Sequence, residues 1–241
     1  QYKRTLPKSL LYLQALLPRL SPNHKHFNDL QTEVAIRQKG FNGEKKLDYH
    51  LQMLDNDYKI LNDITLSYKR NKFQIDSLII TPHAIFIVDS KSIDGIITFN
   101  TTLQQLTQNN QGIERNLKYP ITQLESMKFL LMKWLELRDL MGFPIFYFVS
   151  IADTSSILRV DGDENFIRKH VSYAENIPHL LMQKNEQIAK FSRNNILLQE
   201  KIISSIFREK EDLFIDLSHK YKIERHDIAP GVVCSKCYQL Q

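Results

Sequence analysis

Three charged residues lie within two apolar, strand-like segments near the middle of the chain: Asp76, Asp89 and Lys91. Their surroundings, FQIDSLII and AIFIVDSK, are as apolar as strands that are buried on both faces. Asp89 and Lys91 are two residues apart, so on a strand both side chains point to the same face. Burying an isolated charge is costly unless it is paired or bound to a metal. We therefore interpret these residues as a functional site rather than as part of a core.

The residue types suit hydrolysis of a phosphodiester bond. This reaction needs a divalent metal held by carboxylates, an activated water and a cation near the developing negative charge. Mg²⁺ takes few protein carboxylates and keeps several waters. Asp76 and Asp89 on neighbouring strands would supply two ligands, and Lys91 would orient the water. A bound cation would also remove the repulsion that otherwise raises the pKa of one carboxyl group.

The elements around these residues must bring them together. Residues 73–100 predict two apolar strands joined by a Thr-Pro-His turn, followed by a third strand after Asp94-Gly95. Upstream, Gly40 and Gly43 predict a boundary, after which GEKKLDYHLQML predicts a helix. YKILNDITLSY predicts strands that end in a Lys-Arg-Asn-Lys hairpin turn. The result is a mostly antiparallel beginning of a sheet.

The segments downstream alternate in type. Residues 101–118 are polar and rich in Gln and Asn, and TQNNQG predicts a mobile loop. Pro120 and Gly142 bracket a strong helical pattern, and IFYFVSIA predicts a buried strand after that helical crossover. FIRKHVSYA predicts a last, half-exposed strand, and the remainder is helical.

Length and pattern predict three regions in this chain of 241 residues. Residues 1–40 form a helical extension, since leucines from Leu10 to Leu20 give one apolar stripe and a second helix covers about 24–38. Residues 41–175 form the α/β domain, and residues 176–241 form a helical region that ends in Cys-x-x-Cys. The chain begins basic and then apolar, as a signal peptide does, but Gln14, Pro18 and Arg19 interrupt the run and favour a helix.

Composition restricts the classes of protein and of partner. Hydrophobic residues make up 42%, enough for a core, yet no run of 18 apolar residues is present, so we expect no transmembrane helix and no membrane partner. The two cysteines cannot build a disulfide framework, which fits a reducing cytoplasm. The formal net charge of +5 is compatible with a polyanionic partner.

The order of these motifs resembles the PD-(D/E)xK nuclease superfamily, and most closely its nuclease-related domain (NERD) family. The resemblance covers about residues 41–150 and rests on five motifs: Gly43-Glu44 opening a helix, Gln74-Ile75-Asp76, Asp89-Ser90-Lys91, Gly95-Ile96-Ile97, and Pro120-x-x-Gln123 at a helix start. It implies a restriction-endonuclease-like α/β fold with a mixed central sheet flanked by helices. Asp89 stands where the family usually has Glu.

The resemblance also implies roles for individual residues. Asp76 and Asp89 would bind Mg²⁺ or Mn²⁺, Lys91 would orient the water, and Glu44 would be a supporting acid. Glu44 also has a simpler explanation, because a carboxylate in the first turn of a helix is stabilised by the helix dipole. Gln74 and Gln123 would contact phosphate, the latter at a helix N-terminus.

Two basic clusters flank the central strands: Lys45-Lys46, and Lys69-Arg70 with Lys72. They would contact the phosphates of a nucleic acid, or they form an ordinary solvated surface. Near the end of the chain, Cys234-x-x-Cys237 is half of a zinc site, with His219 and His226 or other cysteines as further ligands; the alternative is an unliganded pair.

These features together predict a Mg²⁺-dependent deoxyribonuclease that hydrolyses phosphodiester bonds. The alternative is a module of the same fold that binds nucleic acid, or acts as a scaffold, without turnover.

Overall fold

The computed structural model describes residues 4–211 and 217–232, so Cys234 and Cys237 lie outside the described residues. The described helices are α1 Lys8–Leu16, α2 Phe27–Leu51, α3 Pro120–Glu136, α4 Glu164–His170, α5 Ile177–Ala189, α6 Ile196–Glu209 and α7 Leu217–Lys220. The described strands are β1 Lys59–Tyr68, β2 Asn71–Ile80, β3 Ile85–Lys91, β4 Ile96–Asn100, β5 Gln105–Asn110, β6 Ile113–Leu117, β7 Ile145–Ile151, β8 Ile157–Asp161 and β9 Val171–Tyr173. Within this part of the chain, no helix is both long and apolar enough to cross a membrane.

The strands form two mixed sheets. The larger has the order β1-β2-β3-β7-β9, in which β1, β2 and β3 are antiparallel and β7 and β9 continue parallel to β3. The smaller has the order β6-β5-β4-β8. Helix α3 lies on the connection that returns the chain to β7, as a parallel pair requires. The predicted α/β class, a mixed sheet flanked by helices, is confirmed.

Strand β3 is buried on both faces of the larger sheet. Ile85 and Ile87 belong to the apolar cluster that contains Trp134 of α3. Phe86 and Val88 belong to a second cluster, which contains Leu47 and Leu51 of α2 and Leu181 of α5. Each fully buried side chain of this size contributes about 1.5–3 kcal/mol of hydrophobic free energy. The polar end of β3 is therefore anchored by a rigid apolar strand.

The described residues divide into two compact units. The larger comprises Arg4 and residues 43–211, and it contains both sheets. The smaller comprises residues 5–42 and 217–232. Its core is built mainly from the leucine stripe that the sequence indicated, with residues of the later segment: Leu13, Leu16, Leu20, Leu30, Leu217, Tyr221 and Ile223.

The helix predicted to begin after Gly40 and Gly43 does not begin there, because α2 runs without interruption through both glycines, although the two compact units divide between Asn42 and Gly43. Glycine inside a helix costs only about 1 kcal/mol, less than the packing of one buried leucine contributes. At Gly43 the small residue is also required. A Cβ there would lie 2.9 Å from the Cβ of Ser92 and 3.1 Å from that of Ala152, so α2 passes very close to the ends of β3 and β7.

Two further predictions are wrong. TQNNQG is not a loop but part of a hairpin between β5 and β6, whose turn places Gln111 at φ 53° and Gly112 at φ 83°. Two central turn residues with positive φ match the twist of a tight hairpin.

FIRKHVSYA is mostly helix α4, because the Asp163 side chain caps it by accepting a hydrogen bond from the Phe166 amide at 2.9 Å. Only β9, at the end of that segment, is a strand.

Candidate active site

The ladder between β2 and β3 brings two predicted acids together. It pairs Ile80 with Ile85 and ends at Ser77 and Val88, so the next step of the register sets Asp76 opposite Asp89. The Oδ2 atom of Asp76 accepts a hydrogen bond from the Ser90 amide at 3.2 Å, beyond the last pair of the ladder. The two strands thus separate where the carboxylates lie.

Lys91 binds the Asp89 carboxylate from the same strand face. Its Nζ atom lies 2.8 Å from Oδ2 and donates a hydrogen bond to Oδ1 at 3.0 Å. Asp89 is only 3% exposed, whereas the Lys91 side chain is a quarter exposed. The buried Oδ2 atom contacts the ammonium group but accepts no well-aligned hydrogen bond. The hydrogen-bonding capacity of this oxygen is therefore not satisfied by Lys91.

The environment of Asp89 opposes its ionisation. Burial raises the pKa of this carboxyl group, and the neighbouring Asp76 carboxylate raises it further. Lys91 opposes both effects without cancelling them, and the pKa is raised to about 7. The two neighbouring carboxylates are therefore short of positive charge, since Lys91 contacts Asp89 alone.

Arg4 joins three further carboxylates next to this pair, a feature that sequence reasoning missed. Its Nη1 atom donates to Glu44 Oε2 at 2.9 Å and to Asp63 Oδ1 at 3.0 Å. Its Nε and Nη2 atoms donate to the two oxygens of Asp48 at 2.9 and 3.2 Å. The side chain of Arg4 is 1% exposed, so this is a buried network rather than a surface ion pair.

The same guanidinium group also holds the strand that carries Asp76. Its Nη2 atom donates to the backbone carbonyl of Asp76 at 3.0 Å and to the Ser77 hydroxyl at 2.8 Å. The planar fork of an arginine fixes acceptors in direction as well as in distance. Arg4 therefore positions the backbone of Asp76 directly.

Glu44, the predicted supporting acid, belongs to the Arg4 network. Burial raises the pKa of Glu44 to about 8, and the charge of Asp76 adds to this shift, while Arg4 opposes it. The pKa of Asp63 is also raised, mainly by burial. Asp63 lies opposite Asp76 in the register of β1 and β2 and has a positive φ of 54°. Such a conformation in a residue other than glycine is strained and is common in functional sites.

The sequence held a signal for only part of this network. Glu44 and Asp48 are four residues apart on α2, so they share a helix face, where two like charges need a cation. Asp63 interrupts the apolar strand pattern in the same way as Asp76. No local pattern indicates Arg4, because its acceptors are 40 or more residues away in sequence.

The charge of the assembled residues suits a divalent cation. Glu44, Asp48, Asp63, Asp76 and Asp89 supply five carboxylates, and Arg4 and Lys91 supply two positive charges. Hard oxygen ligands of this kind favour Mg²⁺ or Mn²⁺. Among the described residues, no three acidic, histidine or cysteine side chains converge on one point as a metal cluster. An ion held by Asp76 and Asp89 alone would have to keep most of its shell as water.

The two glutamines predicted to bind phosphate lie apart from these hydrogen bonds. Gln74 precedes Asp76 by two residues on β2, and Gln123 lies in the first turn of α3. Both are partly exposed, and in the described part of the chain no hydrogen bond joins either to the carboxylates. Their contact with phosphate stays a prediction.

The two basic clusters differ in their surroundings. Lys46 forms an ion pair with Asp153 at 2.8 Å and lowers the pKa of that acid to about 2. Lys69 and Arg70 are exposed at the turn between β1 and β2, and Lys72 forms an ion pair with Glu211. Lys72 precedes Asp76 by four positions along the strand, a distance of about 13 Å. Contact of Lys45 with phosphates stays a prediction, as does that of the turn at Lys69 and Arg70.

Of the predicted zinc ligands, the structure describes only His219 and His226. His226 lies 3.4 Å from Glu224 and 3.6 Å from Asp227 through its two ring nitrogens. Cys234 and Cys237 lie outside the residues described. Zinc binding at this end of the chain stays a prediction.

Comparison with known proteins identifies the segment that carries the site. Residues 39–152 match the family model of the nuclease-related domain, NERD, which confirms the resemblance inferred from the sequence. The match includes Glu44, Asp48, Asp63, Asp76, Asp89 and Lys91. No curated protein and no solved structure matches the chain.

Proposed function

We propose that the nuclease-related domain at residues 39–152 is a metal-dependent phosphodiesterase that hydrolyses DNA. The observation that carries the proposal is the position of Asp76 and Asp89 side by side at the diverging end of β2 and β3, with Lys91 in contact with Asp89. The raised pKa of Asp89 supports it, because a shifted buried carboxyl group beside a second acid is typical of catalytic sites.

Asp76 and Asp89 would hold Mg²⁺ or Mn²⁺. When bound, such an ion neutralises charge on a phosphate oxygen and lowers the pKa of water to a useful range. Lys91 shares the strand face of Asp89, and its partly exposed ammonium group can reach the solvent side of the site. There it would orient the attacking water and stabilise the charge that develops on the phosphate.

The Arg4 network would act on Asp76 and Glu44 rather than on the substrate. By holding the Asp76 backbone carbonyl, Arg4 fixes the angle at which that carboxylate leaves the strand. Glu44, with its pKa near 8, carries a proton at neutral pH in the metal-free protein. It would thus be a supporting acid beside the ligands, and Arg4 would be a positioning residue.

One observation favours a second function, that of a silent nucleic-acid-binding or scaffolding module. Lys91 contacts both oxygens of Asp89, so this pair is partly compensated without any metal. An ion must displace the ammonium group from at least one oxygen. A chain in which that exchange fails would keep the fold and lose turnover.

Cleavage of DNA by the full chain tests the proposal. Supercoiled, linear and single-stranded DNA are incubated with wild type, Asp76→Asn and Lys91→Met in Mg²⁺, Mn²⁺ or EDTA, with Asp55→Asn as an exposed control. We expect cleavage that needs the metal and falls by at least about 100-fold in the two site variants. Absence of wild-type cleavage in both metals favours the silent module, and normal cleavage by both site variants refutes the assigned residues.

A further inference from the structure

A cavity of about 490 Å³ lies at the open edge of the larger sheet, apart from the carboxylates. Strand β9 pairs only with Val149–Ile151, so none of the described strands covers residues 145–148 of β7 on that side. Phe146, Tyr147 and Phe148 form the inner wall of the cavity. Its volume is that of a pocket for a small ligand or a few groups of a polymer, and it is too small for a duplex.

The rim of the cavity is strongly basic. It includes Lys128 of α3, Arg168 and Lys169 of α4, and Lys184 of α5, so cations surround it from three helices. None of the described residues that line it is acidic. Arg168 is paired with Glu164 outside the lining, at 2.6 Å on an exposed surface, where such a pair is weak.

The aromatic residues of the cavity wall make contacts of their own, one of them with a cation of the rim. The Lys184 ammonium group lies 4.7 Å from the centre of the Phe146 ring, a cation–π contact that keeps it over the cavity. On the other side of the strand, Tyr147 stacks with His170 at 4.9 Å, and its hydroxyl donates to Glu125 at 3.1 Å. The cavity therefore combines a basic rim with an apolar aromatic wall, and the position of Lys184 over Phe146 is set by their contact.

The cavity is also close to the candidate active site in register. Val149 pairs with Asp89 across β3 and β7, and Phe148 is the residue before it. Phe148 is therefore separated from Asp89 by one strand spacing, about 5 Å, and by one residue along the strand, about 3 Å. Measured across the sheet, the wall of the cavity therefore lies on the strand next to the one that carries Asp89.

We propose that this cavity binds the sugar–phosphate backbone of a single-stranded nucleic acid next to the phosphate that is cleaved. The proposal rests on the proposed function in taking nucleic acid as the substrate. An acidic peptide added as a strand to the β7 edge is the competing occupant. The open edge is only four residues long and offers few main-chain hydrogen bonds, whereas four cations, of which Arg168 is paired with Glu164, match a chain of phosphates.

Binding in EDTA tests the cavity separately from catalysis. The anisotropy of a short fluorescent oligothymidylate is measured with the full chain, with Lys128→Gln/Lys169→Gln/Lys184→Gln, and with Lys59→Gln/Lys190→Gln/Lys201→Gln. The control triple removes the same charge from exposed positions outside the cavity. We expect the cavity triple to weaken binding at least about tenfold and to reduce the log–log salt slope by about 2, since each phosphate contributes about 0.7. The control should change affinity less than about twofold.

Three results overturn the proposal: no binding by wild type, equal affinities for both triples, or a labelled polyglutamate that binds the wild type as tightly and loses affinity equally in the cavity triple. The last result assigns the cavity to acidic peptides.

Circular dichroism confirms that all variants are folded. If wild type binds through the cavity but cleaves nothing in Mg²⁺ or Mn²⁺, the cavity assignment stands and the hydrolase proposal fails. If wild type cleaves DNA while the cavity triple binds the oligothymidylate normally, the hydrolase proposal stands and the cavity assignment fails.

Discussion

Arg4 Nη1 donates a hydrogen bond to Glu44 Oε2 at 2.9 Å, joining residues 40 positions apart in the sequence. Both side chains are largely buried, and the guanidinium group also binds Asp48 and Asp63. Without Arg4, Asp48 and Asp63 would lose their cationic partner. Glu44 would lose a hydrogen-bond donor, and Asp76 would lose a hydrogen bond to its backbone carbonyl. The geometry of the candidate site thus depends on a residue that performs no chemistry.

Arg4→Gln should destabilise the protein strongly. Removing one partner from a buried ionic network typically costs about 3–5 kcal/mol, because the remaining charges stay desolvated. Arg4→Lys should recover only part of this free energy, since an ammonium group cannot reproduce the planar fork. Urea unfolding followed by circular dichroism measures the change. A loss below about 0.5 kcal/mol for Arg4→Gln would show that the network is not structural.

Glu44 should make the metal-free protein less stable as pH rises. Its pKa in the folded protein is raised to about 8 from an ordinary value near 4.5. The stabilisation is therefore complete below about pH 4.5 and is lost as pH rises through about 8. Relative to Glu44→Gln, wild type should lose up to a few kcal/mol between pH 5 and about pH 8.5 in EDTA. Parallel stability curves for the two proteins would contradict the assignment.

The sequence identified Asp76, Asp89 and Lys91 because charged residues on apolar strands stand out locally. The Arg4 network was missed, since its partners come from helix α2, strands β1 and β2 and residue 4, and only tertiary structure brings them together. For the same reason the sequence left helix-end chemistry open as an alternative to the supporting-acid role of Glu44. In the structure Glu44 lies in the third quarter of a long helix rather than in its first turn.

The fold was predictable from the sequence where the hydrophobic periodicity was strong. The prediction failed where one local pattern is compatible with two different structures. The α3 crossover and the buried β7 strand follow from their apolar patterns. Gly40 and Gly43 have the character of a helix boundary, but the close approach of α2 to Ser92 and Ala152 explains why a glycine lies inside the helix. The polar β5–β6 hairpin has no apolar alternation, because most of its side chains are at least partly exposed.

Asp89→Glu should impair cleavage in Mg²⁺ although the family usually has Glu there. Asp89 is buried and already contacts Lys91 through both oxygens, so an added methylene group must displace the metal or the ammonium group. A shift of about 1 Å at the reacting centre costs on the order of 100-fold in rate. We expect partial rescue by Mn²⁺, measured as initial cleavage rates. Activity well above wild type would mark Asp89 as a degraded ligand and favour the silent module.

The basic turn at Lys69, Arg70 and Lys72 should contribute to duplex binding. Replacing all three with Gln should reduce the log–log salt slope for duplex DNA by about 2 rather than 3. Each phosphate contact on a duplex contributes about 0.9, and Lys72 is already paired with Glu211. Fluorescence anisotropy between low and moderate salt measures the slope, with Lys190→Gln/Lys201→Gln as the control. A slope equal to that of wild type would move duplex binding to another surface.

A crystal structure of the full chain with Mn²⁺, read by anomalous scattering, tests the metal assignment most directly. We expect one anomalous peak at about 2.0–2.3 Å from a carboxylate oxygen of both Asp76 and Asp89. We also expect Lys91 to leave at least one oxygen of Asp89. An Asp76→Asn crystal should lose the peak. A wild-type map without a peak at these acids, with Lys91 still bound to both oxygens of Asp89, would contradict a metal-dependent site.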